Sequence, residues 1–167
     1  MRRRDFLLLA GGCVAAMMAP TLAAADPAFK SLLPLLIDVD GWKADKADGM
    51  TMEMGDGAMT TASRVYHRDP ARIEVAIALG TVAAGMLAPV AQDMKIETAD
   101  GHMITGDYKG VRAMRSYDAK QKSGGLIIAL GEKAAFNVGY SNLTEDEALA
   151  FADKFDLKAI KAAAEAK

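Results

Sequence analysis

The chain has 167 residues, of which 51% are hydrophobic and 25% charged, with 20 basic against 22 acidic side chains. That is the balance of one ordinary globular domain. With Arg2, Arg3, Arg4 and Asp5 set aside, the remainder is mildly acidic with scattered Lys and Arg, and it has no electrostatic footprint for nucleic acid or anionic lipid.

The N-terminus, "RRRDFLLLAGGCVAAMMAPTLAAADPA", has a charged start, a weakly apolar middle and a small-residue end. This is the plan of a secretory signal peptide. Arg3, Arg4, Phe6 and Leu7 follow the twin-arginine pattern R-R-x-F-L, an address read by a receptor of the export machinery. Ala23 and Ala25 supply the A-x-A cleavage signal, so residues 1–25 are expected to be removed and residues 26–167 to form a single periplasmic domain. Contact with the membrane is then confined to export. Two rival readings are an uncleaved anchor, since residues 6–25 are about long enough to span a bilayer, and lipidation at Cys13. The glycines and Pro20 weaken the first, and the lack of a large aliphatic residue three places before the cysteine weakens the second. Cys13 is the single cysteine, so a cleaved chain has no disulfide, thiolate ligand or cysteine nucleophile.

Along the mature chain, Asp26 as N-cap and Pro27 at the first helical position predict a short helix to Leu33, ended by Pro34. A strand is expected around Val65, followed by a turn in "HRDPAR". "RIEVAIAL" then alternates strictly, with Ile73, Val75, Ile77 and Leu79 on one face, and is the firmest strand in the sequence. Residues 81–94 predict a short, proline-interrupted helix, and "GVRAMRSY" another strand. "LIIAL" and "AAFNVGY", joined by Gly131-Glu132-Lys133, predict a hairpin. Thr144 and Glu147 form a capping box for a last helix with Leu149, Ala152, Phe155 and Ile160 as its apolar stripe. The expected fold class is α+β: a single antiparallel sheet covered by N-terminal, central and C-terminal helices.

Leu33, Pro34, Gly41, Trp42, Gly110 and Val111, spread over most of residues 32–160, give the chain an order of elements that resembles the PsbP family. The resemblance implies that family's sheet-and-helix fold and an exported accessory or binding role, often beside larger assemblies. It brings no active-site residue with it.

"GMTMEMGDGAM" gathers Met50, Met52, Met54 and Met59 within eleven positions. On a strand the first three share one face. Pairing Met54 with Met59 across a four-residue turn at residues 55–58 adds the fourth. Thioether sulfur is a soft ligand suited to Cu(I), which makes copper the alternative cofactor. The preferred account is packing, because methionine fills irregular gaps under a helix well. A promiscuous apolar contact surface is the remaining one. Thr61 and Ser63 would follow on the returning strand, and neither is a soft ligand.

Other constellations point to less. Asp38-Val39-Asp40-Gly41 starts like a calcium loop, but Lys43 and Gly49 stand where that loop needs Gly and Glu, so it reads as a turn. His67, beside Tyr66 and Asp69, is expected to be turn polarity instead of an acid–base centre, and His102 is the other histidine. No phosphate-binding glycine loop or nucleophile motif is present. The sequence therefore predicts a periplasmic, non-catalytic accessory or binding protein without a cofactor. Its partners would be another periplasmic protein or a small apolar ligand. The alternative is a Cu(I)-handling protein using the four methionines.

Overall fold

A computed structural model of the chain describes residues 28–55 and 57–166. Among them nine strands form one antiparallel sheet. They are β1 (Lys43–Ala44), β2 (Asp48–Met54), β3 (Gly57–Arg68), β4 (Ala71–Gly80), β5 (Lys95–Thr98), β6 (Gly101–Tyr108), β7 (Val111–Asp118), β8 (Ser123–Gly131) and β9 (Ala134–Ser141). The helices are α1 (Thr81–Leu87), α2 (Glu145–Ala152) and α3 (Leu157–Glu165), preceded by two 3-10 turns, Ala28–Ser31 and Leu33–Leu35. The strand order is β1-β3-β4-β9-β8-β7-β6-β5, with β2 continuing the β1 edge along β3. Strands β5 to β9 make a meander whose last strand docks on β4 and joins the two halves of the chain.

Alternation in β4 sets the two faces of the sheet. Ile73, Val75 and Ile77 are fully buried, while Arg72 and Glu74 on the alternate positions are exposed. Across the ladder Tyr66, Ile73 and Tyr140 share the first face, as do Ala62, Ile77, Phe136 and Ile128. This face meets the N-terminal turns, α2 and α3 in the main core, where Phe151 packs edge-on to both Tyr66 and Trp42 at 5.0 Å. The second face is covered in part by α1, which packs with Leu87 and Val90 over Ala78 and Ala135. Arg112 holds the loop after α1 down, donating from Nε to the Val90 carbonyl at 2.9 Å and pairing with Asp93 at 2.6 Å.

The expected fold is corrected here. The molecule is dominated by a large sheet with few, short helices, not a sheet covered by three of them. From Ala28 onward the predicted N-terminal helix is instead a pair of 3-10 turns, and Pro34, which has no N–H to continue an α-helical ladder, lies inside the second; Asp26 and Pro27, its expected cap and first residue, lie outside the described residues. It is tied to the sheet by Arg64, which donates to the Leu36 carbonyl and pairs with Asp38, and by the Tyr66 hydroxyl, which donates to the Ile37 carbonyl. The central helix ends at Leu87, two residues before Pro89, and lies on the face opposite α2 and α3. The last helix is two: Asp156 caps a separate α3 by accepting from the backbone N–H groups of Lys158 and Ala159. The capping box of Thr144 and Glu147 is present as read. Strands β5 and β6, for which no element is predicted, extend the sheet beyond β7, with Gly101 and Gly106 as strand residues of β6.

Candidate functional site

Strands β2 and β3 form the methionine hairpin. The ladder runs to Met54 opposite Gly57, so the turn is shorter than expected and the register shifts by two. Met52 is the Cα partner of Met59, and Met50 that of Thr61. A shift of two preserves side-chain parity, so these positions still share one face. That face is the second one, since Thr61 pairs in turn with Ala78 beneath α1. The first face of the hairpin carries Thr51 and the buried Thr60, whose hydroxyls share a hydrogen bond of 3.2 Å. The backbone N–H of Phe29 donates to Thr51, and a side chain at Gly49 would meet the Phe29 ring at 2.7 Å. The N-terminal turn thus covers the threonine side, and the packing account fails for two of the methionines. Met50 is 46% exposed and Met52 37%. Met59 is half-buried.

A groove lies on the other face, at the far end of the sheet, between the β6–β7 turn and the α2–α3 junction. Its volume is about 290 Å³. Leu130 and Phe155 form a buried floor, and Val111 and Leu157 are half-buried walls. Lys109, Lys158 and Lys161 stand at the rim. Lys109 is paired with Asp153 at 2.6 Å, and Lys161 makes a loose pair with Glu165 at 3.8 Å. Lys158 has no acidic partner among the described residues. Asp153 also accepts a hydrogen bond from the Tyr108 hydroxyl. Burial opposes ionisation of Asp153, but the hydrogen bonds from Lys109 and Tyr108 outweigh it and hold the carboxyl below its ordinary value. Burial pushes the Tyr108 phenol well above its ordinary value, and the bond to Asp153 pushes it further. The groove is an apolar slot whose rim carries Lys109, Lys158 and Lys161 beside Asp153 and Asp156.

The two histidines fall in different places. His67 pairs with Asp45 at 3.0 Å on the open surface, with neither partner strongly buried. Tyr66, its sequence neighbour, points to the opposite face and is fully buried, its phenol pushed up to about 12 chiefly by that burial. His102 meets Glu145, the first residue of α2, at 3.1 Å, and Arg115 approaches the same carboxylate at 3.7 Å. This network pins α2 to β6 and β7. Asp38, read as part of a turn, is the partner of Arg64, and Gly41 makes that turn at φ 81°.

Arg3, Arg4, Phe6, Leu7, Cys13, Ala23 and Ala25, with the whole signal reading, lie outside the described residues. Comparison with protein-family models, curated proteins and solved structures gave no match. The groove was not found from sequence because its walls come from three distant segments. One local signal was available: Asp156-Leu157-Lys158 is a cap followed by a helix start, and it marks the break that opens the slot.

Proposed function

We propose that this chain is an exported, periplasmic, non-catalytic binding protein that holds an apolar chain with a negatively charged end in the groove at the α2–α3 junction. The observation that carries the reading is the pairing of a buried apolar floor, Leu130 and Phe155, with a lysine rim in which Lys158 has no acidic partner among the described residues. Ligand sites are commonly concave and mostly apolar, with a few placed polar groups that fix orientation. A carboxylate or similar anion meets Lys158 at the mouth while its hydrocarbon displaces water from the floor. The non-catalytic part of the reading is supported by the histidines, each engaged by a carboxylate in a structural cross-link. Periplasmic export is supported by Arg3, Arg4 and the Ala23/Ala25 end of the leader.

The test is displacement of a fluorescent fatty acid from the full-length chain. Saturable binding is expected, lost in Val111→Trp, which fills the slot, and weakened in Lys158→Glu for the acid but not for its neutral methyl ester. Circular dichroism of both variants should match the parent. Equal binding by parent and Val111→Trp would sink the groove reading. Export is tested in parallel: replacing Arg3 and Arg4 together by Lys should leave precursor in the cytoplasm, since Lys lacks the planar guanidinium fork, and normal periplasmic processing would overturn it.

A further inference from the structure

We infer that the β2–β3 hairpin is a thioether site for a soft monovalent d10 ion, Cu(I) or Ag(I), built by Met50, Met52 and Met59. It lies on the second face of the sheet and is independent of the groove.

Packing does not account for these methionines. A buried apolar residue in a sheet stabilises it, but Met50 and Met52 are 46% and 37% exposed. An exposed edge strand gains nothing from apolar side chains and is an aggregation liability, which proteins counter with charge or proline. Strand propensity favours Val, Ile and Thr over an unbranched side chain. Neither burial nor propensity therefore accounts for methionine at alternate positions of β2.

Geometry supplies the positive case. Met52 and Met59 are direct cross-strand partners, and such pairs have Cβ atoms about 4.5–5.5 Å apart. Met50 follows on the same face two residues along, about 7 Å away. Long unbranched arms with three rotatable bonds let the sulfurs converge over that spacing. On the far side of Met59 its partner in β4 is Gly80, which adds no competing side chain beside it. Asp48 lies on the same face one step beyond Met50, and its charge favours a cation there. Neutral, polarisable sulfur donors select a soft ion over Zn(II), Mg(II) or Ca(II). Thioether donors also carry no proton at working pH, so occupancy does not require a deprotonation.

The experiment uses the full-length chain carrying Cys13→Ser, which removes its single thiol, under ascorbate and without oxygen. Cu(I) is offered in competition with a chromophoric Cu(I) chelator, and Ag(I) is followed by NMR of methyl-labelled methionine. One equivalent of metal is expected, shifting the methyl signals of Met50, Met52 and Met59. Each single change to Leu should weaken Cu(I) binding at least about tenfold, and the triple Leu variant should lose it. Leucine roughly conserves volume, so circular dichroism and fatty-acid binding should be unchanged in all of them. Failure of the chain to take Cu(I) from the chelator overturns the inference, and so does undiminished uptake by the triple variant. Either result leaves the groove reading standing, and equal fatty-acid binding by the parent and Val111→Trp, which would sink the groove reading, leaves this one standing.

Discussion

Strands β4 and β2 have the same kind of pattern and opposite fates. In β4, Ile73, Val75, Ile77 and Leu79 alternate with Arg, Glu and Ala and form the centre of the main core. In β2, Met50, Met52 and Met54 alternate with Thr51 and Glu53, yet Met50 and Met52 face solvent while Thr51 lies under the N-terminal turn. The difference is position. Strand β4 sits between β3 and β9 with elements packed over it. Strand β2 is an edge, paired on one side with β3 alone in the ladder. Alternation states which side chains share a face; what covers that face is settled by distant parts of the chain.

The sharpest way to test this is in β4 itself. Ile77 is fully buried between Ala62 and Phe136 of its neighbouring strands. Ile77→Asp places a carboxylate there without a partner and should destabilise the chain by about 3–5 kcal/mol, enough to unfold it in mild denaturant. Glu74→Lys, next to Val75 on the opposite face and exposed, should change stability by no more than about 0.5 kcal/mol. Urea midpoints measure both. Similar shifts from the two variants would mean that the faces of β4 are reversed.

How much could be read beforehand follows the same line. The β4 face, the β8–β9 hairpin and the capping box at Thr144 were legible because each is written in adjacent residues. The parity of the methionines was legible as well, and survived a register error of two. Their exposure was not legible, because Phe29, which covers the opposite side of the hairpin, lies 22 residues from the Thr51 it meets. The layering of the helices was missed for a related reason: nothing local to residues 81–94 says on which face α1 will pack. Strand β6 hid behind its glycines, Gly101 and Gly106. At Gly101 a Cβ would lie 2.1 Å from the Tyr117 carbonyl oxygen, so glycine there serves a close strand approach and not a turn.

A smaller effect sharpens the comparison from the covering side. The first face of β4 stays dry only while α2 lies on it, and α2 begins at the capping box. Thr144 accepts from the Glu147 backbone N–H at 3.3 Å, and the Glu147 carboxylate accepts from the Thr144 backbone N–H at 3.0 Å. Thr144→Ala should cost about 1 kcal/mol. The backbone hydrogen bond from Thr144, followed by its hydroxyl, holds the Glu147 carboxyl below its ordinary value. A carboxyl whose folded value is depressed favours folding when ionised. Its contribution is therefore present above the unfolded value of about 4.3 and is lost as pH falls through the lower folded value. The penalty of Thr144→Ala should accordingly shrink in acid denaturation series below about pH 4. A penalty constant from pH 7 to pH 3 would show that the bond from the Thr144 hydroxyl to the Glu147 carboxylate does not contribute.

The smallest effect bears most directly on the edge. If Met52 were core, truncation to Ala would leave a cavity and cost about 2–5 kcal/mol. With Met52 37% exposed on an edge strand, much of its side chain is already in water and the surroundings can close over the remainder. Met52→Ala should then cost less than about 1 kcal/mol, the part left coming from the poorer fit of Ala on a pleated surface. The urea slope should stay at the parent value, since the surface exposed on unfolding hardly changes. A loss of 2 kcal/mol or more would place the methionine face inside the molecule, restore packing as the reason for these residues and remove the accessible sulfurs on which an ion site depends. A loss below 1 kcal/mol leaves the side chain without a structural role large enough to explain it, and stability alone then gives no reason for methionine at this position.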